Sequence, residues 1–209
     1  MVYRTFSATT LQDFIDCKRK FKLKYIDHLS WPAPLSQLNT KYSEAITRGR
    51  KFHQLIQQHF IGIPDYELFN SIQDHTVRQW LKNALSFEIS SEKQTKKMVE
   101  YHVSYINKGV LLTGVIDLLL ISPDSGMKII DWKTGLSKPN LDRYKSRIQT
   151  RLYPYLLLQS PAFSANRFEG LKTQEITFNY WFTNFPEHSL SFTYDRQNFN
   201  QDDAYFDDL

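Results

Sequence analysis

Apolar residues in the first ninety positions recur at helical spacing, and beyond residue 95 that spacing gives way to the alternation of strands. Thr9-Thr10 followed by Gln12 and Asp13 signals a helix start, and Leu11, Phe14, Ile15, Phe21 and Tyr25 continue it. Trp31, Pro32 and Pro34 mark a loop over 30–39. A second helix is predicted from Ser43 to about Ile61, with Ile46, Gly49, His53, Ile56 and Phe60 on one stripe, and a third from about Tyr66 to Phe87. From Met98 to Ile106 the pattern alternates, Val99, Tyr101, Val103 and Tyr105 to one side and Glu100, His102 and Ser104 to the other. Val110–Ile121 and Met127–Lys133 read as strands joined by the turn Ser122-Pro123-Asp124-Ser125-Gly126. A helix over Asn140–Gln159, kinked at Pro154, and two closing strands, Glu175–Thr183 and Leu190–Tyr194, complete the series. This order predicts one sheet flanked by helices.

The 209 residues suffice for a single domain, with a helical part at about 1–90 and a catalytic sheet and helix at about 95–195. A net charge of +4 suits a polyanionic partner without identifying one. Its distribution says more. Basic residues gather at Lys18–Lys24, at Arg48, Arg50 and Lys51, and at Arg143, Lys145, Arg147 and Arg151, while Asp202, Asp203, Asp207 and Asp208 carry an acidic excess. The only cysteine, Cys17, excludes an intramolecular disulfide and suits a reducing compartment. No basic start followed by an apolar run suggests a signal peptide, and no stretch reaches the ~18 apolar residues of a membrane span. The expected setting is cytoplasmic.

The hairpin carries the candidate chemistry. Residues facing each other across an antiparallel pair are symmetric about the turn, and a turn centred on Asp124 sets Asp117 opposite Asp131, within about 5 Å at Cβ. Their neighbours are almost all apolar, so two facing carboxylates resist ionisation unless a cation joins them. Mg²⁺ or Mn²⁺, which take hard oxygen ligands, fit that need. Lys133 shares the face of Asp131, where an ammonium can stabilise a phosphate or an attacking water. The alternative is an Asp–Lys ion pair complete in itself.

Gly114-Val115-Ile116-Asp117 followed by Ile129-Ile130-Asp131-Trp132-Lys133-Thr134-Gly135 resembles the core of the PD-(D/E)XK nuclease superfamily, in its RecB-type and Cas4-like exonuclease branch. Gln149-Thr150-Arg151-Leu152-Tyr153 is similar to that branch's Q-x-x-x-Y motif, and Arg48-Gly49-Arg50-Lys51-Phe52-His53 to its upstream helix. Ser7-Ala8-Thr9-Thr10-Leu11 through Cys17-Lys18-Arg19-Lys20-Phe21 resembles its N-terminal segment. The resemblance implies a restriction-endonuclease-like α/β fold, a mixed central sheet with helices on both faces. It implies metal ligation by His53, Asp117, Asp131 and the Trp132 backbone carbonyl, catalysis supported by Lys133, Gln149 and Tyr153, and an acid near the metal in Glu100. His53 read alone is a packed helix residue, and Glu100 read alone an exposed strand acid.

Cys17 stands where cluster-bearing members place the first of four [4Fe–4S] ligands, but the other three cysteines have no counterpart, so no cluster is expected. The family's further cysteines follow a helix that would begin near Asp207-Asp208-Leu209, so the resemblance leaves either a member without a cluster or a truncated form of a longer protein. Cys17 is therefore expected to be a buried structural thiol. The reading is a divalent-metal-dependent DNA exonuclease of repair, recombination or CRISPR adaptation, gripping the DNA backbone through Arg48, Arg50, Lys51, Arg143, Lys145, Arg147 and Arg151. The alternatives are a DNA-binding module without catalysis, or an interaction subunit of a helicase–nuclease or CRISPR assembly with Trp181, Phe182, Phe185 and Phe192 at its interface.

Overall fold

A computed structural model describes residues 4–29, 38–87, 95–123, 125–161 and 176–208. The chain forms two compact units, one of Met1–Thr9 with Phe87–Leu209, the other of Thr10–Ser86. The loop predicted over 30–39 lies outside the described residues up to 37, and its last two positions belong to a helix.

In the helical unit the first predicted helix is broken. Helix α1 (Ala8–Asp16) ends at Cys17, whose extended backbone starts the short α2 (Lys18–Phe21) before a π-helical turn over Lys22–Ile26. Asp13 ties these pieces together: it accepts from Lys20 Nζ at 2.5 Å, Lys24 Nζ at 2.9 Å and Tyr25 Oη at 2.9 Å. Burial by itself would raise the Asp13 carboxyl, but those three donors outweigh it and hold the group down at about 2. Helix α3 (Leu38–Phe60) buries Phe52, Leu55 and Ile56, while Ile46, placed on the inner stripe by the sequence, is exposed. The single helix predicted over Tyr66–Phe87 is two, α4 (Asp65–Asn70) and α5 (His75–Leu85). Asp74 separates them, because its carboxylate caps the amides of Thr76 and Val77 and so begins a new helix.

The other unit is a mixed six-stranded sheet of β1 (Arg4–Ser7), β2 (Lys96–Asn107), β3 (Val110–Ser122), β4 (Gly126–Lys133), β5 (Ile176–Phe182) and β6 (Leu190–Tyr194). Strand β2 pairs along one edge of β3. The opposite edge is shared: β1 runs parallel along Val110–Thr113 and β4 antiparallel along Leu118–Ser122. Between them the edge at Gly114–Asp117 pairs with no strand among the described residues, which leaves a notch in the ladder four residues long. Strand β5 lies parallel to β4, and β6 antiparallel to β5.

The helix predicted over Asn140–Gln159 breaks at Ser146–Arg147, not at Pro154. Asn140 caps α6 (Leu141–Lys145), and α7 (Ile148–Gln159) runs through the proline. Eight of the twelve residues of α7 are buried, because the sheet covers one side and α8 (Arg196–Asp207) the other. That packing offsets the hydrogen bond Pro154 cannot donate. The sequence pattern does not predict helix α8, reading there only as an acidic excess. Asp202 is in fact buried and takes Arg151 at 2.6 Å, while Asp203 accepts from Tyr155 and Gln159 at 3.0 Å.

The pleat of β2 and β3 slips once. A Cβ on Gly114 would meet Tyr153 of α7 and Val103 of its partner strand, so Gly114 faces that helix. On the far side Phe178 packs on Tyr153, its partner Ile129 shares that face, and Leu119 pairs with Ile129. Gly114 and Leu119 are five apart, yet face the same layer, which a regular strand forbids. The one rung absent from the β2–β3 ladder is Glu100↔Asp117, and Glu100 has a φ of 47°. Its left-handed backbone turns Val99 to the face opposite Tyr101, contrary to the simple alternation.

Candidate active site

The sheet's notch and the pleat slip coincide, and the carboxylates gather there. A carboxylate oxygen of Glu100 and one of Asp117 lie within 4.8 Å of each other. Asp117 and Asp131 follow the symmetry expected of the hairpin, since Ser122 pairs with Gly126 and Leu118 with Ile130. The ladder stops one rung before them, however. In place of a ladder bond, the Trp132 amide donates to Asp117 Oδ2 at 2.9 Å, so this carboxylate joins two separating strands. The Trp132 N–H and an Asp117 oxygen thereby satisfy each other inside an apolar sheet.

Asp131 is buried, but it does not stand as an isolated charge. Lys133 Nζ lies 2.6 Å from its Oδ2, and Gln149 Nε2 donates to its Oδ1 at 2.5 Å. Lys133 also donates to Gln149 Oε1 at 2.9 Å. The three side chains close a ring, which fixes the amide orientation of Gln149: one end must accept from the ammonium while the other donates to the carboxylate. Strand alternation puts Asp131 and Lys133 on the α7 face, and the first turn of α7 brings Gln149 to them. The Tyr180 ring, 5.2 Å from Lys133 Nζ, covers the ammonium, and Tyr180 is held in turn by Thr150 at 2.8 Å.

Tyr153 comes one helical turn after Gln149 and packs where Gly114 has no side chain. A Cβ at Gly114 would lie 2.9 Å from Tyr153 Cε1. Burial, with the nearby Asp131 and Asp117 carboxylates, pushes its phenol well above the usual range, so it stays protonated. The glycine of one motif is thus the seat of the tyrosine of another.

The remaining candidates divide. His53 lies half-buried on α3 of the helical unit, its ring edge-on to Phe52. Arg48 is held by Asp74 at 2.7 Å and Arg151 by buried Asp202 at 2.6 Å, so each guanidinium already has a carboxylate partner. Arg50, Lys51, Arg143 and Lys145 carry no such ion pair among the described residues, and Arg147 stacks on Tyr144. Cys17 is exposed, not buried as expected, because it caps α2, its Sγ accepting from the Lys20 amide. Asn184, which no motif or periodicity picks out, donates to the carbonyl oxygens of Thr134 and Gly135 and anchors the loop after Lys133.

The sequence pattern described as the PD-(D/E)XK nuclease superfamily matches residues 5–209. No curated protein matches the chain. Among solved structures, a candidate exonuclease from Eubacterium rectale superposes with a TM-score of 0.57 at 11% identity, over 98% of this chain and 77% of that one. That likeness is one of fold. The protein SSO0001 aligns over 96% of this chain and 73% of its own at 12% identity, with a TM-score of only 0.37. With a mixed sheet whose hairpin sets Asp117 beside the Asp131–Lys133 pair and a family pattern matched along nearly its whole length, the chain belongs to the PD-(D/E)XK nuclease superfamily.

Proposed function

We propose that the protein is a divalent-metal-dependent DNA exonuclease of the RecB-type and Cas4-like branch, serving DNA repair, recombination or CRISPR adaptation. The observation that carries the reading is the Asp131–Lys133–Gln149 ring set beside the Glu100 and Asp117 carboxylates. Two acids on adjacent strands, with oxygens close enough to share one ion, form a donor set suited to Mg²⁺ or Mn²⁺. Asp117, Asp131 and Glu100 would hold the ion, with His53 and the Trp132 carbonyl as the further ligands the family resemblance implies. Such an ion, when bound, polarises the phosphate and lowers the pKa of an attacking water.

The chain's own groups do the rest. Lys133 presents a fixed ammonium at the edge of the acids, where it can donate to a phosphate oxygen or orient the water. Gln149 holds that ammonium and the Asp131 carboxylate in one geometry. Tyr153, kept protonated, fixes α7 against β3. Arg50, Lys51, Arg143, Lys145 and Arg147 are the side chains proposed to grip the DNA backbone.

The test is incubation of end-labelled single- and double-stranded DNA with Mg²⁺ or Mn²⁺, alongside Asp131→Asn and Lys133→Ala. Stepwise shortening by the wild type and its loss in both variants is the expected result. A wild-type protein that cuts neither DNA, or an Asp131→Asn variant with full activity, overturns the assignment.

A further inference from the structure

We infer that Leu136 is an apolar wedge that engages the terminal base pair of a DNA duplex beside the active site. This rests on the reading of the protein as a DNA nuclease and adds the substrate end it is built to open. Leu136 is 79% exposed, more than any other large apolar residue described. A single exposed leucine means little by itself. This one, however, follows Lys133 by three residues, so its Cα lies within about 11 Å of that of Lys133 even if the chain between them is extended. At roughly 3.4 Å of rise per base along a strand, that reach is about three base steps from a phosphate at Lys133.

The loop holding Leu136 is braced at both ends. At its base the Thr183 amide donates to Lys133 O at 2.9 Å, and Asn184 Nδ2 donates to Gly135 O at 3.1 Å and Thr134 O at 3.4 Å. At its far end Pro139 restricts the backbone and Asn140 caps α6 through the Arg143 amide. The leucine is therefore held out in solvent by a fixed frame. Exposed cations follow it closely, at Lys138, Arg143 and Lys145, with Arg147 half-exposed. An apolar tip with a cationic flank complements an apolar base pair and its phosphates. It does not match an acidic protein surface as well, because such a surface offers nothing apolar for the tip. Apolar side chains that enter a base step work by unstacking it, at a cost of a few kcal/mol per step. A base pair already open has no need of that help.

The experiment compares Leu136→Ser with the wild type on three labelled substrates in Mg²⁺ or Mn²⁺. These are a blunt duplex, the same duplex with three mismatched pairs at each end, and the single strand. Wild type is expected to cut blunt and mismatched ends at similar rates. In Leu136→Ser the blunt-to-mismatched rate ratio should fall about tenfold or more, and Leu136→Met should restore most of it. An unchanged ratio overturns the wedge, as does a wild type that cuts single strands and mismatched ends but not blunt ones. Failure of the wild type on all three substrates overturns the nuclease reading itself, and the wedge with it. Equal melting temperatures for the variants and wild type confirm that the exposed loop, not the fold, is being read.

Discussion

Replacing Gly114 by alanine tests the link between the strand that carries Asp117 and the helix that carries Gln149. The added Cβ would stand 2.9 Å from Tyr153 Cε1, 3.0 Å from its Cδ1 and 3.4 Å from Val103 Cγ2. Carbon atoms rest at about 3.5–4.0 Å, so the ring must retreat by roughly 0.5–1 Å. It has little room, since Tyr153 is buried and Phe178 packs beside it. Overpacking of this kind costs about 1–3 kcal/mol. For a chain of this length each kcal/mol lowers Tm by roughly 2–4 °C. If α7 yields instead of the ring, Gln149 shifts with it, and a displacement near 1 Å can slow catalysis about a hundredfold. The assay is a double-mutant cycle by urea unfolding, with Gly114→Ala, Tyr153→Leu and both together, plus DNA cleavage for each. In the Tyr153→Leu background the glycine substitution should cost less than about 0.5 kcal/mol. A Gly114→Ala penalty of the same size in both backgrounds would refute the contact as its cause.

Three further outcomes follow from the same structure. The Asp13 carboxyl is held at about 2, below its ordinary 3.8, so it stabilises the fold above about pH 4 and loses that contribution as pH falls toward 2. The contribution is at most about 2 kcal/mol, and urea titrations of wild type and Asp13→Asn should differ at pH 6 and converge near pH 2. Arg151→Met should cost about 3 kcal/mol or more, because it strands buried Asp202, yet leave the salt dependence of DNA binding unchanged. Lys145→Met should do the reverse, sparing stability while reducing the salt slope by about one. Mn²⁺ at a hundred times its Kd should stabilise the wild type by about 2.7 kcal/mol, and thermal shift should show that gain lost in Asp117→Asn.

The strands were legible because their signals are local. The turn at Ser122–Gly126 sets the hairpin register, so the juxtaposition of Asp117 and Asp131 follows from counting residues on either side of it. Lys133 follows from alternation alone. What escaped depends on contacts distant in sequence or on competition between nearby signals. Helix α8 reads as a polar tail until Arg151, Tyr155 and Gln159 of α7 supply partners for Asp202 and Asp203, some 44 to 51 residues away. The break between α4 and α5 was written in Asp74, but a cap inside an apolar periodicity is outvoted when the window is read as one helix. Strand β1 is only four residues long, too short for its alternation to stand out, and it exists through its parallel pairing with β3.

The departure at Asp117 bears on why the acids sit where they do. Two acids directly opposed in an apolar ladder repel each other. Here β1 pairs with β3 as far as Thr113 and β4 pairs from Leu118, so the ladder between them is interrupted. Glu100 and Asp117 occupy the one missing rung on the other edge, where a left-handed residue turns the pleat. An unpaired edge would ordinarily leave buried amides unsatisfied, yet Trp132 finds Asp117 Oδ2 in place of a carbonyl. Asp117 thus serves the sheet as a hydrogen-bond acceptor where a carbonyl would ordinarily stand. The hairpin symmetry accounts for which residues meet. The lost rungs account for how charged groups can meet there at all, since the carboxylates stand where no ladder bond forms.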